Sequence, residues 1–239
     1  MIKEIDLYGD GIGKVQYIQH MGDDKTIVNS ARVSFGSDCE GSLTERDKKL
    51  IKYLIRHKHT STLEHNIITF KFIVPLFIRS QHHRHRTWSY NEISRRYTDK
   101  NLAFYEPSKF RTQHKSNRQA SNVEELVNPK IDTFDPACSH PVPVFASDLI
   151  VGHHKASLAL FDDLLAAGVC REQARGVLPQ NLYTEYYGSV NLNNLLKFVE
   201  LRIHEGAQYE IQKVAMACLE IAEHIWPITI GSYREIRGL

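Results

Sequence analysis

The residues best able to do chemistry lie together between Gln81 and Tyr97, in the run QHHRHRTWSYNEISRRY. From Arg79 to Tyr97 there are five arginines, three histidines, no lysine and one acid, Glu92. Of the chain's 30 basic and 28 acidic side chains, that leaves 25 against 27 elsewhere, so the positive charge is local. A guanidinium fork donates to two oxygens of a phosphate or carboxylate at once, which an ammonium point charge does not do. Ser89, Asn91, Ser94 and Tyr97 add neutral donors. The residue types suit a phosphate or nucleotide site; the alternative is a solvated basic face or a nucleic-acid patch.

Other chemistries are less well served. His57, His59 and His65, with His82, His83 and His85, could supply metal ligands. No HExxH or paired Cys/His spacing occurs, however, and five nearby arginines repel a divalent cation, so no metal is expected. Cys39, Cys138, Cys170 and Cys218 form no CxxC and lie beside no histidine, which reads as reduced thiols in a cytoplasmic protein. Neither GxGxxG nor GxxxxGK[ST] is present, so a dinucleotide would have to be held by side chains. A second arginine set lies downstream: Arg175 before VLP, and Arg202 in LRIHEGAQYEIQ. Arg202 either pairs with Glu200, Glu205 or a neighbouring helix, or faces a ligand.

The elements that position these residues follow from pattern. The chain has 239 residues, 42% hydrophobic and 24% charged, as in ordinary globular proteins. No apolar run reaches the roughly 18 residues of a membrane span, and MIKEIDLYGDGIG lacks a signal-peptide core. Lys14 to Tyr17 reads as a strand, Thr26 to Phe35 as helix or strand, and 37–42 as a loop. Thr44 with Asp47 predicts a capping box opening an amphipathic helix over 45–57. Ile68, Phe70, Phe72 and Val74 alternate as in a half-buried strand, which Pro75 ends or marks as an edge. The arginine cluster fits either a helix, with His85, Ser89, Glu92 and Arg96 on one face, or an extended second half lined by Glu92, Ser94 and Arg96.

Residues 99–143 are the least regular stretch, an excursion with one short helix expected near Val123 to Val127. Beyond it, Ser147 is a plausible N-cap for a helix over Leu149 to Ala167, with Gly168 at C′. A short helix over Arg171 to Val177 stops at Pro179. Asn191 caps another, with Leu195, Leu196, Val199 and Leu201 on its inner side, and Ala207 to Ile225 forms a last amphipathic helix ended by Trp226-Pro227. The whole reads as one α+β domain, residues 1–239, with a helical C-terminal half.

Arg84-His85-Arg86, followed by Ser94, resembles the RHR-x7-S signature of flavin-dependent thymidylate synthases. NSARVSF (29–35), HKHTSTLEH (57–65), ARGVLPQNLYT (174–184) and LRIHEGAQYEIQ (201–212) resemble stretches of the same family in the same order. The resemblance implies a mainly antiparallel sheet and methylation of dUMP to dTMP. Methylenetetrahydrofolate would be the carbon donor, and NADPH the reductant acting through bound FAD, with no thiol nucleophile. It also implies a homotetramer with shared active sites; neither a nucleic-acid nor a membrane partner is expected. By position, Gln81, His82, His83, Arg84, Glu92, Ile93, Ser94, Arg95, Arg96, Arg175 and Arg202 resemble the dUMP site, with Arg202 matching the activating residue. Ser61, Arg84, His85, Arg86, Thr87, Glu92, Asn191, Asn193 and Lys197 resemble the FAD site, and His59 the folate and NADPH side.

There are departures. Asn193 stands where an arginine is common, Lys197 where an uncharged polar residue is common, and Gly206 where a histidine can occur. The rival reading is a single-stranded nucleic-acid binder that uses the basic cluster, with Trp88, Tyr90 and Tyr97 as stacking platforms.

Overall fold

A computed structural model describes residues 3–39, 41–134 and 140–239. In chain order the strands are β1 (Glu4–Asp6), β2 (Lys14–Met21), β3 (Ile67–Pro75), β4 (Ser89–Glu92), β5 (Phe110–Gln113), β6 (Ser121–Val127), β7 (Lys130–Thr133), β8 (Val142–Phe145) and β9 (Tyr183–Asn191). The helices are α1 (Asp24–Arg32), α2 (Glu45–Arg56), α3 (Leu76–His82), α4 (Ala146–Ala166), α5 (Arg171–Ala174), α6 (Leu192–Arg202), α7 (Tyr209–Glu223) and α8 (Pro227–Arg237). Contacts divide the chain into two compact units. One comprises Met1–Ile73, Ser80–Glu92 and Glu185–Leu239; the other comprises Val74–Arg79 and Ile93–Thr184.

A five-stranded sheet runs in the order β1-β2-β3-β9-β4. The β1–β2, β2–β3 and β4–β9 pairs are antiparallel, and the architecture is α+β. The alternation seen in β3 is real burial: Ile68, Phe70, Phe72 and Val74 are wholly buried. Pro75 is its last residue, and β3 lies inside the sheet rather than at its edge. In β9, Gly188 is paired with Tyr90 of β4. A Cβ there would lie 2.8 Å from Phe72 Cε2 and 3.2 Å from Trp88 Cε3, so only glycine fits between the rings.

In the first unit, α2 begins with the expected capping box: Thr44 accepts from the Asp47 amide, and Asp47 Oδ2 accepts from the Thr44 amide at 2.8 Å. Asp47 is buried and also bonds Arg32 and the Cys39 thiol. The ambiguous segment after Thr26 is helical, as α1 followed by a 3-10 turn over Val33–Phe35. Asn191 caps α6 by accepting from the Asn194 amide at 2.9 Å. Leu195, Leu196 and Val199 are buried as expected, but Leu201 is 59% exposed, because the last turn of α6 rotates it off the core face. Helix α8 is not announced by the sequence pattern. Pro227 occupies its first turn, where the missing N–H does no harm, instead of ending the helical half.

The second unit corrects two expectations. Val123 to Val127 is not helical: it lies in β6, which pairs with β5, and a second hairpin joins β7 to β8. Ser147 does not cap α4. Phe145 is the N-cap, and Asn128 reaches the helix start instead, accepting from the Ser147 amide at 3.1 Å and donating to its hydroxyl at 2.9 Å. Gly168 does follow the α4 C-terminus with φ +86°, in the left-handed region that favours glycine. Among the cysteines, Cys138 lies outside the described residues.

Candidate active site

The cluster is not one helix; its second half is extended as far as Glu92, as the second reading had it. It starts in α3, turns after His82, and continues into β4. The turn is fixed by the His85 amide donating to the His82 carbonyl (3.0 Å) and the Arg84 amide to that of Gln81 (3.3 Å). Tyr90 ties strand to turn, its hydroxyl 2.9 Å from the His82 carbonyl and 3.2 Å from that of His85.

Beneath this turn lies an aromatic layer. His82 is wholly buried among Phe72, Trp88, Tyr186 and Phe198, with centroids 4.5 to 5.8 Å away, and its Nδ1 is 2.8 Å from the Tyr186 hydroxyl. Burial, then the neighbouring His85, His83 and Arg202, hold its pKa well below the usual histidine range. The resemblance groups His82 with the nucleotide contacts, but it has no surface to offer a ligand here and serves as packing. Trp88 is only 6% exposed, its ring against Phe70, Phe72 and Tyr90, so one of the three stacking platforms of the nucleic-acid reading is part of the core.

Above the layer the structure brings together Gln81, His85 and Arg202. Arg202, at the end of α6, donates from Nε to His85 Nε2 at 3.0 Å and from Nη2 to the Gln81 carbonyl at 3.4 Å. No carboxylate among the described residues pairs with it: Glu200 bonds Arg237 instead. Burial lowers the pKa of Arg202 somewhat, and burial together with the Arg202 charge brings that of His85 to about 4. The imidazole is therefore neutral at ordinary pH and able to accept. Gln81 is held at its side chain by Gln208, which also donates to Glu210 at 3.0 Å. Nothing in the sequence singles out Gln208, although it lies within the LRIHEGAQYEIQ motif.

Arg84, Arg86 and Thr87 are exposed in the same turn, and no carboxylate among the described residues pairs with either arginine. Two donor-only guanidinium groups and a hydroxyl that can donate form a set able to hold the phosphates of a dinucleotide. His83 and Glu92 are half-buried. Asn193 is buried and donates to Glu64 Oε1 at 2.8 Å, a partner that the sequence did not announce. Asn193 and Lys197 line a cleft of about 210 Å³ with Lys58, Thr60, Tyr233 and Arg237. Ser61 lies in a 3-10 turn over Thr60–Leu63, and exposed His59 packs edge-on to Tyr53.

The second unit carries Ile93, Ser94, Arg95, Arg96 and Arg175. Ser94 Oγ accepts from the Arg96 amide at 3.3 Å, and the exposed Arg96 guanidinium lies over Tyr97, 5.4 Å from the ring centroid. Arg95 donates to the Lys100 carbonyl at 2.7 Å and the Tyr183 carbonyl at 3.4 Å. Arg175 is exposed and donates to the Glu172 carbonyl at 3.3 Å; among the described residues no hydrogen bond joins it to Ser94 or Arg96.

Known proteins share this chain's sequence and fold. Residues 16–228 match the family model described as thymidylate synthase complementing protein. A flavin-dependent thymidylate synthase of Thermus thermophilus is 41% identical over 224 residues, covering 93% of this chain and 76% of that one. One from Borreliella burgdorferi is 35% identical, covering 100% and 86%. The solved structure of the UMP/dUMP methylase PolB from Streptomyces cacaoi bound with 5-Br dUMP superposes with a TM-score of 0.74 at 28% identity, over 97% of each chain. The motif order, the fold and a family match spanning most of the chain agree: this chain belongs to the flavin-dependent thymidylate synthase family.

Proposed function

We propose that the protein converts dUMP to dTMP by reductive methylation at C5 of the uracil. Methylenetetrahydrofolate gives the carbon, and NADPH gives the reducing equivalents through bound FAD. The observation that carries this reading is Arg202: a half-buried guanidinium held by two neutral acceptors, with its charge unneutralised by any described carboxylate. Uracil is a poor electrophile at C6 and a poor nucleophile at C5; activating it places charge on its carbonyl oxygens and N3, and a fixed cation in a dry site stabilises that charge. A guanidinium stays protonated, so its role is electrostatic rather than proton transfer.

No thiol is needed. Cys218 is wholly buried, burial pushes its pKa up, and Cys39 is buried against Asp47. The donor chemistry of Arg84, Arg86 and Thr87, and the neutral His85 beside them, fit FAD, which when bound carries reducing equivalents to the transferred carbon. Ser94, Arg96 and Arg175 are the groups we assign to the dUMP phosphate, Arg96 through its fork. Lys197 lines the cleft on the FAD side. The active enzyme is a single-domain chain assembled as a homotetramer with shared sites. No helix among the described residues is long and apolar enough to cross a membrane, and we place the enzyme in the cytoplasm.

The decisive experiment is an anaerobic assay of purified protein with dUMP, methylenetetrahydrofolate, FAD and NADPH, run beside an identical series with UMP. Formation of dTMP that depends on both FAD and NADPH supports the proposal. NADPH oxidation without methylated product refutes it, and preference for UMP would move the substrate to the ribonucleotide.

A further inference from the structure

The bond between Arg202 and His85 constrains more than either residue's position. An Nε–H donor can bond His85 Nε2 only if that nitrogen carries its lone pair, so the ring proton sits on Nδ1. An imidazolium would remove the acceptor and set two cations in contact. The residue is also held on other sides. Phe198 meets it edge-on with centroids 4.9 Å apart, the Tyr90 hydroxyl fixes its carbonyl, and its amide is bonded to His82. Among the described residues, the charged or titratable groups facing it are Arg202 from α6 and His82 from its own turn, centroids 6.3 Å away.

The choice of acceptor matters. A carboxylate would orient Arg202 more strongly but would neutralise the charge the nucleotide needs, whereas a neutral ring nitrogen orients the fork and leaves the charge intact. The Gln81 carbonyl, the other acceptor, is neutral too.

We propose that His85 is the positioning residue for Arg202, holding its guanidinium through an unprotonated Nε2 in the Nδ1–H tautomer. The inference rests on the reading of Arg202 as the group that stabilises charge on uracil. It gives His85 a task separate from any contact with flavin, because the nitrogen it uses accepts from protein.

Two measurements test it. The first is selective ¹⁵N-histidine labelling of the full-length protein, with His85→Gln assigning the resonance. Nε2 should be unprotonated and Nδ1 protonated, with the ring neutral from about pH 8 to about pH 5. In Arg202→Ala that preference should be lost. A ring protonated at Nε2 in the wild type, or one unaffected by Arg202→Ala, overturns the proposal.

The second is a double-mutant cycle on single-turnover dTMP formation, with pre-reduced flavin and saturating dUMP, and flavin retention measured separately. His85→Leu should slow the reaction about ten- to a hundredfold, and His85→Gln, whose amide oxygen can accept, should recover most of it. In an Arg202→Ala background His85→Leu should change the rate less than about twofold. An equal loss in both backgrounds means that His85 acts on its own, and refutes the positioning role while leaving the assigned reaction intact. A wild-type rate for Arg202→Ala refutes the reading of Arg202 itself, and the positioning role with it, whatever the tautomer.

Discussion

Gly188→Ala tests whether the aromatic layer under the site is as tightly built as its distances indicate. The added methyl would sit 2.8 Å from Phe72 Cε2 and 3.2 Å from Trp88 Cε3. Carbon pairs are comfortable at about 3.5–4.0 Å, so the Phe72 ring must retreat by roughly an ångström. It has little room: it stacks on Tyr186 at 5.1 Å and meets His82 edge-on at 4.8 Å. Trp88 is backed by His82 at 4.5 Å. Overpacking of this kind costs about 1–3 kcal/mol, offset in part by about 0.4–1 kcal/mol from the stiffer unfolded chain. A net loss of about 1–2 kcal/mol lowers Tm by roughly 2–8 °C in a chain of this size. Thermal unfolding followed by circular dichroism would measure it, and Phe72→Leu, which vacates the crowded ring edge, should reduce the increment. A Tm that is unchanged or raised by Gly188→Ala, or the same loss in the Phe72→Leu background, would refute the packing argument.

Four further outcomes are expected. Arg202→Ala should fold and retain flavin yet lose at least about 10²-fold in single-turnover dTMP formation, as when a preorganised charge-stabilising donor is removed. Arg96→Lys keeps the charge but loses the fork, so titration should show dUMP binding weakened about ten- to a hundredfold; equal affinities would take Arg96 out of the phosphate site. Lys197→Ala should release FAD more readily and steepen the salt dependence of what binding remains, and unchanged retention across a salt series would return Lys197 to plain helix surface. Asp47 has its pKa lowered, first by the Thr44 hydroxyl and amide and then by Arg32. Its stabilisation is therefore present above the unfolded value near 3.8 and is lost as pH falls through the folded value. Asp47→Asn should lower Tm at neutral pH and flatten its fall below about pH 4, and parallel curves would contradict this.

What could be read from the sequence was what depends on near neighbours. The Thr44–Asp47 box, the Asn191 cap, the β3 alternation and Gly168 each involve residues within a few positions of one another. What escaped depends on distant partners. Val123 to Val127 has no periodicity that separates helix from strand, and it is a strand because β5 pairs with it. Ser147 has the residue type of a cap, yet the capping side chain belongs to Asn128, 19 positions earlier in the chain. The site divides the same way. The RHR run and Arg202 stand out by residue type, whereas the Arg202–His85 bond spans 117 positions and Asn193–Glu64 spans 129. His82 and Trp88 look like surface chemistry inside a polar run, and only the fold places them in the core.

On the role proposed for Arg202, the protein's durability is tied to its substrate. A guanidinium drawn partly out of water, with no counter-charge in the described chain, carries a desolvation cost while the site is vacant. An anion that arrives beside it removes that penalty in the folded state alone, so ligand binding and folding are thermodynamically linked. Charge placed for that chemistry would make the empty protein the state most open to unfolding and proteolysis, and its lifetime should rise with the concentration of the nucleotide.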